Sequence, residues 1–251
     1  MNGVSSIQGL PDYMGFLTYN LKWRTQQYND SDSSTGACSG DIEAVVKRDT
    51  PDAPAQVYCE YVAARLASLI GINVAAGVLV PHAKGLMYAS LSISQVASPL
   101  AKVDMSNIDE FKQRHPVEAA GLAVFDLWVG NADRVGNVLA SMGLSMDDVV
   151  AGIDNGACLL NTENNSKDSL AFLRNADQPD FHLFGSGHPK IYCDEVVERI
   201  ENLSDFAIDD ACVLGDTVGS VMLPEQAEVS EVLKWRRQSN RLKDLVYRVL
   251  V

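Results

Sequence analysis

The chain has 251 residues, 47% of them hydrophobic and 21% charged, enough to bury a substantial core without disulfide or metal staples. A formal charge of −13 sets an acidic surface against phosphate backbones and excludes a broad nucleic-acid-binding face. It leaves open a nucleotide in a cleft lined by a few local cations.

Cys38, Cys59, Cys158, Cys193 and Cys212 are an odd set without a CxxC pair, which reads as reduced, mostly buried thiols of a cytoplasmic protein. His182 and His188, flanked by Asp180 and Cys193, match no zinc-ligand spacing. No signal peptide opens the sequence. The longest apolar stretch, 66–81, is broken by Asn73, two glycines and Pro81, so no membrane span is expected.

In chain order, 15–23 and 42–48 read as antiparallel strands separated by a Ser/Gly-rich loop at 29–40. Residues 57–70 have helical spacing, with prolines near the start and Gly71 just past the end. Strands are expected at 76–80 and 86–92, and a linker at 95–107. Residues 116–130 predict a helix with Val117, Gly121, Val124 and Trp128 on one face. Apolar runs at 138–142 and 149–153 enclose a polar turn and predict a hairpin. Helical periodicity resumes at Tyr192, with Pro224 opening a last helix that runs to the C-terminus. Strands early and helices late divide the chain into a small β-rich lobe, 1–94, and a larger helical lobe, 95–251.

The hairpin carries the chemistry. Asp133 and Asn137 precede its first strand and Asp154 follows its second, so all three reach one open end. Two carboxylates and an amide oxygen make a hard-oxygen site suited to Mg²⁺ bridging phosphates. Lys47 on a strand and Glu60 on the next helix supply an ammonium for ATP phosphate and an acid to hold it. Each residue also has an ordinary reading. Lys47 alone is a solvated edge charge, Glu60 a helix ion-pair partner, and Asp133, Asn137 and Asp154 turn residues. Arg134 reads as structural, holding its loop by hydrogen bonds.

FDLWVGNADRVGN at 125–137 and GIDNG at 152–156 resemble the catalytic and metal-binding signatures of HipA-like protein kinases, distant relatives of the phosphatidylinositol 3/4-kinases. VVKR at 45–48, EYVAARLASLIGINV at 60–74 and LPEQ at 223–226 resemble that family's ATP-lysine strand, following helix and C-terminal region. The resemblance implies a two-lobed kinase-like α/β (α+β) fold, with ATP and Mg as cofactors. Its implied activity is transfer of the γ-phosphate to Ser or Thr of a protein. It assigns Asp133 to catalysis, Asn137 and Asp154 to metal, and Lys47 and Glu60 to the nucleotide. Ser34, Thr35 and Gly36, in a cluster with Ser31 and Ser33, become candidates for covering the phosphates. An antitoxin or other regulator is the candidate partner. The sequence departs from the family pattern at Val135 and Asn155, where His is common, and in a shorter interval from Asp133 to Asn137. A non-catalytic kinase-like binding module and a small-molecule or lipid kinase therefore stand as alternatives.

Overall fold

The computed structural model describes residues 17, 19–27, 38–83, 85–93, 100–142, 149–175 and 184–251. The first strands, β1 (Leu21–Gln27) and β2 (Cys38–Ile42), pair antiparallel. The stretch expected as one strand over 42–48 is divided between two sheets. Glu43 donates its backbone N–H to Asn20 (3.0 Å), and its carbonyl accepts from Ser92 (2.9 Å). The chain thus changes partners at Glu43, and β3 (Ala44–Lys47) joins a second antiparallel sheet of order β3-β5-β4. In that sheet β4 is Gly77–His82 and β5 is Gly85–Leu91.

Helix α1 (Gln56–Leu69) lies between β3 and β4 in sequence and buries Tyr58, Val62, Ala63, Leu66 and Ala67. It stops at Gly71, whose φ of 70° belongs to the left-handed region that glycine reaches without a Cβ clash. The segment leaving α1 then pairs with the hairpin of the second half through a parallel bridge, Val74 to Gly152. Two hydrogen bonds of 2.9 Å make that link, Ala75 N–H to Gly152 O and Gly152 N–H to Asn73 O.

The expected linker at 95–107 contains a strand. β6 (Leu100–Lys102) pairs antiparallel with β7 (Val138–Ser141), which pairs with β8 (Val150–Gly152) as the predicted hairpin. Helix α2 (Ile108–Arg114) leads into α3 (Pro116–Val129), with Pro116 in its first turn, where a missing N–H costs least. α3 was expected to present one apolar face. Instead every residue from Ala119 to Val129 is buried, because α2, α5 (Lys190–Glu201), α7 (Leu223–Arg237) and α8 (Arg241–Val249) all pack on it. α4 (Ser166–Arg174) and α6 (Asp205–Cys212) complete the helical part.

The single last helix expected from Pro224 is two helices. Ser239 and Asn240 take φ of 54° and 61°, which ends α7 and redirects the chain into α8. Cys59, Cys158, Cys193 and Cys212 are free and buried. Among the described residues, no helix is long and apolar enough to cross a membrane.

Candidate active site

Lys47 ends β3 beside Tyr88 of β5, over the buried side of α1. Its ammonium meets the Glu60 carboxylate, the contact expected from the strand-then-helix order, and also lies 2.7 Å from Asp154 Oδ1. Only 10% of the Lys47 side chain and 1% of Glu60 are exposed, whereas 43% of Asp154 is open. Burial pushes the Glu60 carboxyl above its usual range, and the Lys47 charge offsets part of that rise. Burial acts on Asp154 in the same direction. There the hydrogen bond and charge of Lys47, with a hydrogen bond from Glu60, prevail and hold the carboxyl below its usual range. One cation thus serves two acids, whose carboxyls are shifted in opposite directions.

Asp154 has φ of 53°, a left-handed conformation that Asp tolerates better than most residues. It turns the chain out of β8 toward α1. Gly156 completes the turn, because a Cβ there would stand 3.0 Å from Gln56 Cγ and 3.3 Å from Glu60 Oε1. Asn161 ties this loop to the start of α1, donating to Gly156 O (2.9 Å) and accepting from Ala55 N–H (3.3 Å).

The Asp133 loop is built on the end of α3. Gly130 closes the helix with φ of 74°. Asn131 is buried, donates from its side chain to Asp126 Oδ1 (3.1 Å), and accepts the Asp133 backbone N–H (3.2 Å). Asp133 itself faces solvent. The Asn137 amide NH₂ donates to Asp133 O (2.9 Å), which ties the side chain to the loop backbone. Asn137 O accepts the Ile153 N–H (2.9 Å), so Asn137 lies across the hairpin from the residue before Asp154.

The structure brings Lys47, Glu60 and Asp154 into direct contact and sets the Asp133–Asn137 loop beside them. Ser34, Thr35 and Gly36, with Ser31 and Ser33, lie outside the described residues. Arg134 is fully buried and hydrogen-bonds Asp126, Asn155 Oδ1 (2.9 Å), Asn137 O (3.3 Å) and Ile153 O (3.1 Å). It does hold the loop by hydrogen bonds, and it reaches farther than the loop. The sequence reading gives no role to Asp126, Asn131 or Asn161, and marks Asn155 only as a departure from the family pattern. A lone carboxylate inside the apolar run of α3 was the available signal for Asp126, because a charge there requires a buried partner.

No protein-family model and no curated protein matches the sequence. Solved structures do. A crystal structure of the proinflammatory kinase CtkA from Helicobacter pylori superposes with a TM-score of 0.59 at 16% identity, over 93% of this chain and 96% of that one. This chain has a kinase fold. A second similar chain comes from the toxin–antitoxin system HipA, HipB and its operator DNA from Shewanella oneidensis. There the TM-score is 0.49 at 13% identity, over 96% of this chain and 69% of that one.

Within the kinase fold the β-rich part carries Lys47 and α1, and the mainly helical part carries the Asp133 loop and the hairpin. An ammonium held between two acids, one of them partly open, lies at the hairpin end that also carries Asn137. These groups fit a divalent cation and a polyphosphate better than a soft metal, since every available donor is a hard oxygen.

Proposed function

We propose that the protein is an ATP-dependent kinase that transfers the γ-phosphate to a Ser or Thr hydroxyl of a protein. The observation that carries this reading is Lys47 held between Glu60 and Asp154 at the end of the hairpin that also bears Asn137. In this reading Glu60 aims the Lys47 ammonium at the ATP phosphates. Asn137 and Asp154 hold Mg²⁺, which supplies charge neutralisation on the phosphates when bound with ATP. Asp133 orients the acceptor hydroxyl and takes its proton as the oxygen bonds to the γ-phosphorus and the bond to ADP breaks. Its solvent-facing position suits an acceptor that arrives from outside.

Ser34, Thr35 and Gly36 are assigned to the phosphates in the same proposal. For the nucleobase we assign the smaller apolar cluster at the junction of the two parts, where Tyr19, Ile93, Leu100, Leu139 and Ile153 pack around Ala75 and Ala151. The lobes divide at residue 94, and an antitoxin-like regulator is the proposed partner.

Incubation with γ-labelled ATP and Mg²⁺, scored on the protein itself and on added protein acceptors, tests the reading. Label on Ser or Thr is expected, with a loss of about 10²–10⁴ in rate for Asp133→Ala. A variant that keeps wild-type turnover removes Asp133 from catalysis. Nucleotide binding without transfer identifies a binding module, and label found only on a small molecule or lipid headgroup moves the acceptor class.

A further inference from the structure

A guanidinium has five N–H groups in one plane, and in Arg134 each has a partner. Nε and one Nη2 N–H go to the two oxygens of Asp126, and the other Nη2 N–H goes to Asn155 Oδ1. Both Nη1 N–H groups go to backbone, to Asn137 O and Ile153 O. Asp126 alone would neutralise the charge. The three remaining bonds do something else, because they converge on the hairpin end. One holds the carbonyl of Asn137, and two hold the residues immediately before and after Asp154. Gly152 leaves room for this, since a Cβ at that position would stand 3.0 Å from Arg134 Nη1. The loop closes on the same residue, with Asn137 N–H donating to Arg134 O (3.0 Å).

We propose that Arg134 is the positioning residue that sets the spacing of the Asn137 and Asp154 side-chain oxygens, with Asn155 as its grip on the Asp154 side. The inference rests on the reading of those oxygens as the ligands of a magnesium–nucleotide complex. One planar group bonded on both sides of the hairpin end fixes the distance between them in a way a lysine cannot, since an ammonium presents a single nitrogen. Asp126, anchored in α3 and braced by Asn131, fixes the guanidinium in turn. The left-handed turn at Asp154 is held open by the same bonds, because Ile153 and Asn155 are fixed on either side of it. Arg134 thus works through the ligands and touches neither side-chain oxygen.

The test separates positioning from folding. Arg134→Lys keeps the ion pair with Asp126 and removes the span. Asn155→Ala removes only the grip beside Asp154. Each variant is first melted without ligand. ATP binding is then measured by calorimetry in excess Mg²⁺ and in excess chelator, and Mn²⁺ affinity is read by its spectroscopic signal with a non-hydrolysable ATP analogue. The expected result is a loss of about tenfold or more in metal-dependent nucleotide affinity. Affinity in chelator should be unchanged, and Asn155→Ala should melt near wild type. If Arg134→Lys fails to fold, Asn155→Ala decides. Variants that keep the full metal-dependent gain, or lose affinity equally with and without metal, overturn the positioning role while leaving the kinase reading intact. A wild type that shows no metal-dependent gain overturns the ligand assignment itself, and the inference with it.

Discussion

Lys47 is one positive charge facing two acids, so the ligand-free site has a defined pH response. Asp154 is held below its ordinary range, so its contribution to stability is present above the unfolded value, about pH 3.9, and is lost as pH falls through the lower folded value. Glu60 is shifted the other way, so its contribution is present below about pH 4.3 and is lost as pH rises through its higher folded value. The Asp154→Asn variant isolates the first effect. Its stability should fall short of wild type most near neutrality, and the two should converge as pH drops below about 4. Denaturant melts of both proteins across that range check this, and a gap that widens on acidification contradicts it. Gly156→Ala should act at the same place. It crowds Gln56 and Glu60, and because Gln56 is flexible the cost should be about 1 kcal/mol, read by chemical denaturation. The meeting of Lys47 and Glu60 was legible because strand alternation and helix spacing fix which face each occupies. The Asp126–Arg134–Asn155 network was not, because its members are brought together by tertiary contacts that no local period encodes.

Elements show where local signals are enough and where packing overrides them. The α1 N-terminus has Ala55 at its cap position and no side-chain cap of its own. Asp49 supplies the cap from outside, accepting Val57 N–H at Oδ1 (2.9 Å) and Ser220 N–H at Oδ2 (2.9 Å). One carboxylate therefore joins the helix carrying Glu60 to the turn before α7. Asp49→Ala should cost about 1–2 kcal/mol and Asp49→Asn less, because its amide oxygen can still accept the Val57 N–H, as at other N-cap positions. Denaturant midpoints at unchanged slope measure both, and an Ala variant as stable as wild type removes the cap. The α1, α3 and hairpin boundaries were legible because glycines and prolines mark them. The break between α7 and α8 was hidden because apolar spacing continues through LKWRRQSNRLKDLV, and Ser239-Asn240 offers only a weak turn signal. Asn240→Ala, which forces a Cβ-bearing residue without the Asn side chain into the left-handed region, should destabilise by about 1–2 kcal/mol. Asn240→Gly should not. Equal melting of the two variants would contradict this origin of the break.

At the scale of the whole molecule, the candidate site lies where the two parts of the fold meet. Lys47 and Glu60 belong to the first part and Asn137 and Asp154 to the second. The contacts described across this boundary include the Lys47–Asp154 ion pair, the Val74–Gly152 bridge and the Ala55–Asn161 hydrogen bond. A ligand that engages both sides should therefore stabilise the molecule as a unit. Mg²⁺ alone should bind weakly to Asn137 and Asp154, because it gives up water reluctantly and finds one amide oxygen and one carboxylate already paired to Lys47. ATP alone meets a chain of formal charge −13 with one buried ammonium to receive it. In the proposed reading, binding of the two together would free Lys47 from Asp154 for phosphate and leave the carboxylate to the metal. At a hundredfold excess over Kd the folded state gains about 2.7 kcal/mol. At about 2–4 °C per kcal/mol for a chain of this size, the melting temperature should rise by several degrees. Asp154→Ala should melt below wild type without ligand, since it gives up the Lys47 ion pair and puts Ala in the left-handed region, and should show little further rise with Mg-ATP. No shift in the wild type at millimolar Mg-ATP would argue against nucleotide binding. A full shift in the Asp154 variant would place the nucleotide away from the hairpin. A shift in wild type that needs both metal and ATP, and that Asp154→Ala removes, ties the two parts of the fold to one ligand.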